Sequence, residues 1–209
     1  RKADDFPALA GITDAGFQET ADSVLIAEQF ANRLNMADPW SLQTVAYRSK
    51  NTLSASALTS KDKVILRLTQ KPGISKRPSN GSPSDKGEGL DAALRQTENL
   101  GVADDIRMPR RRYEIPISPF GITVQGHPDM EALDENFPVE MKSVKSFLMG
   151  NPLRNLNRYR RQLSLYQMQS EGHLGFLVLV SRDEGFVICL EASPQNVEET
   201  NRDFKSWSR

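Results

Sequence analysis

Two acids and a lysine close together carry the chemistry that this 209-residue chain displays most openly. The segment GHPDMEALDENFPVEMKS, residues 126–143, holds Asp129, ten intervening residues, and then Glu140-Met141-Lys142. In an extended strand, residues two apart share a face, so Glu140 and Lys142 project together and Met141 turns to the other side, toward a core. If 122–129 and 137–143 pair as neighbouring strands, Asp129 approaches Glu140. Converging carboxylates are hard oxygen donors suited to Mg²⁺ or Mn²⁺. An adjacent ammonium can orient or help deprotonate a water and offset charge on a phosphate. That apparatus serves phosphodiester hydrolysis. Acids and lysines are common, however, and the same residues also fit a solvated, charged strand edge.

Further candidates surround this cluster. Gln162 and Tyr166 lie one turn apart in a helical pattern, with Arg158 a turn earlier, so the three form a stripe. Taken alone, Tyr166 also fits a core position beside Tyr159 and Leu163, and Gln162 a surface one. Upstream, Gly87-Glu88-Gly89-Leu90-Asp91 precedes a helical pattern, where an acid is also favoured by the helix dipole alone. His127, two before Asp129, can share its face and touch metal or phosphate, although a non-ligand role is favoured. His173, after a helix-ending glycine, reads as a solvated loop residue. Arg110, Arg111 and Arg112, with Arg154, Arg158, Arg160 and Arg161, make two basic clusters flanking the acids in sequence. Such clusters neutralise nucleic-acid phosphates, while any single arginine equally suits solubility and surface ion pairing.

The order Pro128-Asp129, then Glu140-Met141-Lys142, resembles the PD-(D/E)XK nuclease superfamily. Gln162-Leu-Ser-Leu-Tyr166 matches the QxxxY motif of its RecB-like and phage-recombination exonuclease branch. Gly87 to Asp91 resembles that branch's Gly-x-x-x-acid (or His) signature, and LSASAL at 53–58 its serine-rich opening; the likeness covers about 53–192. The resemblance implies a restriction-endonuclease-like core. It implies metal ligation by Asp129, Glu140, the carbonyl of Met141 and Asp91, with Glu88 a less aligned alternative. Asp91 departs from the Glu or His often found there. Lys142 would position the attacking water, and Gln162 and Tyr166 would contact the DNA backbone or support the site. Arg158, Arg161, Arg154 and Arg111 would bind nucleic acid, with His127 accessory. The expected function is a Mg²⁺- or Mn²⁺-dependent DNA nuclease, an exonuclease by family weight, acting in DNA processing, repair, recombination or phage replication. It would work as a homo-oligomer or within a larger DNA-processing complex. The alternatives are a nuclease-fold binding or assembly module without catalysis, and a restriction-type endonuclease. Some relatives carry an iron–sulfur cluster on four cysteines, which Cys189 alone cannot hold.

The elements that must position these residues read as follows. Residues 19–34 repeat apolar positions at helical spacing, with Val24, Ala27, Phe30, Ala31 and Leu34 on one side. A second helix fits Pro39 to Tyr47, and 53–68 opens with a serine-rich, cap-like segment before an apolar run. Residues 70–89 concentrate Pro, Gly, Ser and Lys and read as a flexible loop. A helix from Gly89 to Gly101 follows, then strands at 113–117, 122–126 and 137–143. A long helix spans 155–172. Strands at 175–181 and 186–192 form a hairpin, and a last helix runs from Pro194 to about Trp207. This is the pattern of an α/β protein, a central mixed β-sheet of about five strands flanked by helices. Residues 1–52 read as an N-terminal helical element that caps the core, binds a partner or belongs to a larger neighbour, and 53–209 as the nuclease core.

Bulk properties narrow the classes. Basic and acidic residues number 27 each, so net charge favours no polyanion and local patches must carry that argument. No apolar run approaches the roughly 18 residues that span a bilayer. The opening RKADDFPALAG lacks the apolar centre of a secretory signal and an initiating Met, as expected of an intracellular chain cut from something longer. One cysteine excludes an internal disulfide framework, and Cys189 in FVICL reads as a buried thiol.

Overall fold

The structure is a computed structural model. It describes residues 12, 15–37, 55–62, 83–98, 100, 104–110, 112–145, 153–183 and 185–208; within these, the side chains of 56–57, 83–88, 91 and 153–155 lie outside the description. Eight strands are present among the described residues: β1 (Phe17–Gln18), β2 (Ile106–Arg107), β3 (Tyr113–Ile117), β4 (Ile122–Gly126), β5 (Met130–Ala132), β6 (Phe137–Val144), β7 (Phe176–Ser181) and β8 (Val187–Ala192). Four α-helices accompany them: α1 (Ala21–Met36), α2 (Pro83–Glu98), α3 (Leu153–Gln167) and α4 (Gln195–Trp207).

Six strands form the main sheet in the order β1-β8-β7-β6-β5-β2, while β3 and β4 form a separate hairpin. The fold is therefore α/β with a central mixed sheet of six strands: three of the expected strands, β6, β7 and β8, are joined by the short β1, β2 and β5, while 113–117 and 122–126 stand apart as the hairpin. The parallel β6–β7 pair sits at its centre, joined through α3, whereas every other pairing is antiparallel. A parallel neighbour needs a crossover of this length, and the amphipathic α3 supplies it.

Alternation along the central strands sends side chains to two different cores. Phe176, Val178, Val180, Val187 and Cys189 join Val139 and Met141 beneath Ile26 and Phe30 of α1 and Leu90 and Leu94 of α2. Leu177, Leu179, Ile188 and Leu190 face the other way, toward Leu156 and Leu163 of α3. Burial on both faces explains why 175–181 reads as nearly continuous apolar sequence. A third cluster joins the far side of α3, through Leu165 and Tyr166, to Tyr113, Ile115 and Val124 of the hairpin, Leu58, and Phe204 of α4.

Helix α1 packs Ile26 and Phe30 onto the core on one face of the sheet. Thr20 and Ser23 form a reciprocal capping box at the start of α1, and β1 adds a strand to β8. Arg33 lies 2% exposed and is held by Asp104 at 2.6 Å, Glu98 at 2.8 Å and the carbonyl of Ile106.

Three expectations need correction. Strand 122–126 does not neighbour 137–143: among the described residues β4 pairs with β3 alone, and β6 lies between β7 and the short β5. Helix α2 begins at Pro83, inside the stretch expected to be loop, since proline suits a first helical turn. Helix α3 ends at Gln167 rather than near Gly172, because the buried Gln167 side chain turns back to donate to the carbonyls of His173 and Ala192. The helix expected at Pro39–Tyr47 lies outside the described residues, as do 53–54 and 63–68 of the serine-rich stretch and 70–82 of the expected loop. No described helix is long and apolar enough to cross a membrane.

Candidate active site

Asp129 and Glu140 meet, by a different route from the one expected. Met130 pairs with Val139 across β5–β6, so one residue further along the same register Asp129 falls opposite Glu140. Asp129 Oδ2 accepts the backbone N–H of Met141 at 2.7 Å, taking the place of a strand partner where β5 has ended. Within a strand residue, N–H and C=O point to the same edge. The Met141 carbonyl therefore faces the edge where Asp129 sits, and its side chain lies in the core beneath α1 and α2, as the alternation requires.

Glu140 is the buried centre of the cluster, at 1% exposure. Lys142 donates to Glu140 Oε1, and Gln162 Nε2 of α3 donates to the same oxygen at 2.6 Å. Glu140 Oε2, equally buried, has no hydrogen-bond partner among the described residues. Burial and then the charge of Asp129 push the Glu140 carboxyl up to about 8, against the opposing pull of Lys142. Burial lowers the Lys142 pKa, but Glu140 and Asp129 more than offset it, so the group stays a firm ammonium. Its chemistry is thus that of an orienting cation rather than a proton acceptor.

Behind Glu140, Tyr166 is 2% exposed and packs edge-on against Tyr113 with ring centroids 5.7 Å apart. Burial, with Glu140 and Asp129 nearby, holds its phenol well above the ordinary value, so it remains neutral. A Cβ on Gly126 would lie 2.8 Å from the Tyr166 hydroxyl, so any larger residue here must displace the ring. The Gln162–Tyr166 stripe is therefore both core and site: one end meets Glu140 and the other wedges under the hairpin.

Other expected residues separate into groups. Arg158 is exposed on α3. Arg161, expected to bind nucleic acid, pairs with Asp203 at 2.6 Å, donates to the Thr59 carbonyl at 3.2 Å and lies 5.2 Å from the Trp207 ring, so it fastens α3 to α4. Arg160 likewise pairs with Glu199 of α4. Asp91, Glu88 and Arg154 have side chains outside the description, as does Arg111 altogether. His127 is exposed; burial and the charges of Arg112 and Arg95 push its imidazole below the ordinary value. His173 is exposed as expected, and the Cys189 thiol is buried and pushed well up by desolvation.

Sequence reasoning did not single out two neighbours of the site. Glu131, 2% exposed, shares the Glu140 face of the sheet and accepts from the Tyr113 hydroxyl at 3.2 Å. Two-residue periodicity from Asp129 was the available signal. The Tyr159 ring centroid lies 5.8 Å from Lys142 Nζ, a contact across elements that no local pattern encodes.

The donor set fits a divalent cation. Two carboxylates and an inward carbonyl are hard oxygen donors, and Glu140 Oε2 is buried without a hydrogen-bond partner among the described residues. Among the described residues, no group of three or more His, Cys, Asp or Glu converges as a metal site; the Asp91 side chain lies outside them.

No family model and no curated protein matches the chain. Among solved structures, "Crystal structure of SSO0001" is similar at 17% identity and a TM-score of 0.44, with 88% of this chain and 87% of the other covered. A likeness so slight carries no argument about activity.

Proposed function

We propose that this chain is a divalent-metal-dependent DNA nuclease, acting as an exonuclease. The observation that supports it is the buried Glu140 carboxylate, opposite Asp129, holding Lys142 and Gln162 on one oxygen and no partner on the other. Asp129, Glu140 and the Met141 carbonyl would hold Mg²⁺ or Mn²⁺. Such an ion, when bound, acts as a Lewis acid on a phosphoryl oxygen and makes a bound water more acidic.

The chain's own residues do the rest. Asp129 is aimed by its bond to the Met141 N–H, so its orientation costs nothing when substrate arrives. Lys142 keeps its proton, and its ammonium orients the attacking water and offsets charge growing on the phosphate. Gln162 occupies Glu140 Oε1 and fixes the plane of that carboxylate. Arg158, exposed on the same helix, lies open to the backbone of the strand being cut. A module that only held DNA would have no use for two carboxylates beside a phosphate, where they repel it.

End-labelled linear DNA and closed circular DNA, incubated with Mg²⁺, Mn²⁺ or chelator beside Glu140→Ala, test the reading. Linear DNA should shorten only with a divalent ion and only with Glu140 present, and circles should survive. Cut circles would favour the restriction-type endonuclease; DNA held equally well in chelator and never shortened would favour the binding module.

A further inference from the structure

Tyr159 stands where Lys142 needs a second neighbour. The lysine ammonium sits on a flexible four-carbon stem, and its side chain is 22% exposed. It donates to Glu140 Oε1. An ammonium held on one side only can swing out to water or fold flat onto the carboxylate. Neither posture serves a group that must meet an incoming water and a phosphate. The Tyr159 ring closes that freedom: Lys142 Nζ lies over it, 5.8 Å from the centroid. The electron-rich face of an aromatic ring attracts a cation within about 6 Å.

The ring is fixed independently of the lysine. Tyr159 is half-buried and packs on the cluster that Leu156 and Leu163 of α3 build against Leu177 and Leu179. Leu156 and Leu163 lie one turn either side of it on the same helix. Glu140 pairs with Leu177 and Lys142 with Leu179 across β6–β7, so both charged side chains rise from the face that α3 covers. Gln162, three residues beyond Tyr159, donates to the same Glu140 oxygen that accepts from Lys142. Residues three apart on a helix are neighbours. One side of α3 therefore addresses both members of the pair, Gln162 the carboxylate and Tyr159 the ammonium. Leucine would serve the packing alone; an aromatic ring also attracts the charge.

We propose that Tyr159 is a positioning residue for Lys142, its ring face holding the ammonium beside Glu140 where water and phosphate are to meet it. The inference deepens the nuclease reading and rests on it for the reaction, though the contact itself does not depend on what the site cuts. A ring suits this task better than a further carboxylate, because it attracts the ammonium without adding an anion that would repel the phosphate.

Position and rate are measured separately. Lysine methylene resonances are recorded in chelator on ¹³C-lysine-labelled protein, Lys142 being the signal lost in Lys142→Ala. The nearby ring should shift it upfield of exposed lysines; Tyr159→Phe should keep that shift and Tyr159→Leu abolish it. Phenylalanines carrying one, two or three ring fluorines, placed at position 159, withdraw electron density from the ring face at nearly constant shape. In cleavage with Mn²⁺, kcat should fall stepwise with each fluorine while KM stays, because the ammonium acts on charge that grows in the transition state. Tyr159→Leu should lose about threefold to thirtyfold in kcat, the span of one cation–π contact. A Lys142 signal unchanged in Tyr159→Leu overturns the assignment. So does a wild type that cuts while the fluorinated series cuts equally fast, and in that case the nuclease reading stands. If Tyr159→Leu abolishes the shift but no protein, wild type included, cuts DNA, the positioning contact stands and the nuclease reading falls. Should Tyr159→Leu fail to fold, the fluorinated series carries both measurements. The Lys142 signal should then drift toward exposed lysines as fluorines accumulate, and a constant signal overturns the assignment.

Discussion

Glu140 gathers most of the chemistry into one side chain. Its carboxyl stands near pKa 8 against an ordinary 4.5, with burial the first cause and Asp129 the second. From about pH 4.5 up to about 8 the folded protein holds a proton that the unfolded chain has released, so stability must fall as pH rises through that window. Thermal melting in chelator should show a declining Tm from pH 5 to 8, and Glu140→Gln should flatten the decline. A level wild-type profile would mean that the carboxyl ionises freely. A divalent ion should reverse the trend, raising Tm more at pH 8 than at pH 5, because a cation stabilises the charged form that burial opposes. Lys142→Ala should lower cleavage by about a hundredfold or more, on the scale of removing one charge-stabilising donor, while circular dichroism shows an unchanged fold. A Lys142→Ala protein that digests DNA at the normal rate would remove the proposed mechanism.

At the level of elements, α3 divides its circumference among three tasks. Leu156 and Leu163 face the sheet, Leu165 and Tyr166 the hairpin cluster, and Arg160 and Arg161 hold α4. Gln162 is thereby carried to Glu140 with little freedom. The hairpin depends on this helix through the closest glycine contact at the site, the approach of Gly126 to Tyr166. Gly126→Ala forces a buried aromatic ring to move, and overpacking of this kind costs about 1–3 kcal/mol. Urea denaturation should register that loss together with weakened cleavage, since Tyr166 and Gln162 shift as one. Unaltered stability would show that the ring has room to yield.

The whole molecule is layered: α1 and α2, the sheet, α3, then hairpin and α4. The first layer is fastened by Arg33, which draws together the end of α2 through Glu98 and the start of β2 through Asp104 and Ile106. Removing the cation leaves Asp104, whose side chain is 6% exposed, without its counter-charge. Arg33→Ala should therefore destabilise by about 3 kcal/mol or more, read as a lower urea midpoint. Arg33→Met with Asp104→Asn should lose less, because no buried charge is stranded.

Composition and periodicity alone determined the α/β class, the strands at 113–117, 122–126 and 137–143, the double-sided burial of 176–181, and the shared face of Glu140 and Lys142. Each follows from local geometry, in which a two-residue or 3.6-residue repeat maps straight onto a face. Tertiary structure decided which strands are neighbours. Met130–Ala132 is too short to announce itself by alternation, yet it, not 122–126, lies beside β6. Partners distant in sequence likewise settled that Arg161 pairs with Asp203 and that Gln162 reaches Glu140. Pairing register and long-range ion pairs depend on what packs where, and no single stretch of chain carries that information.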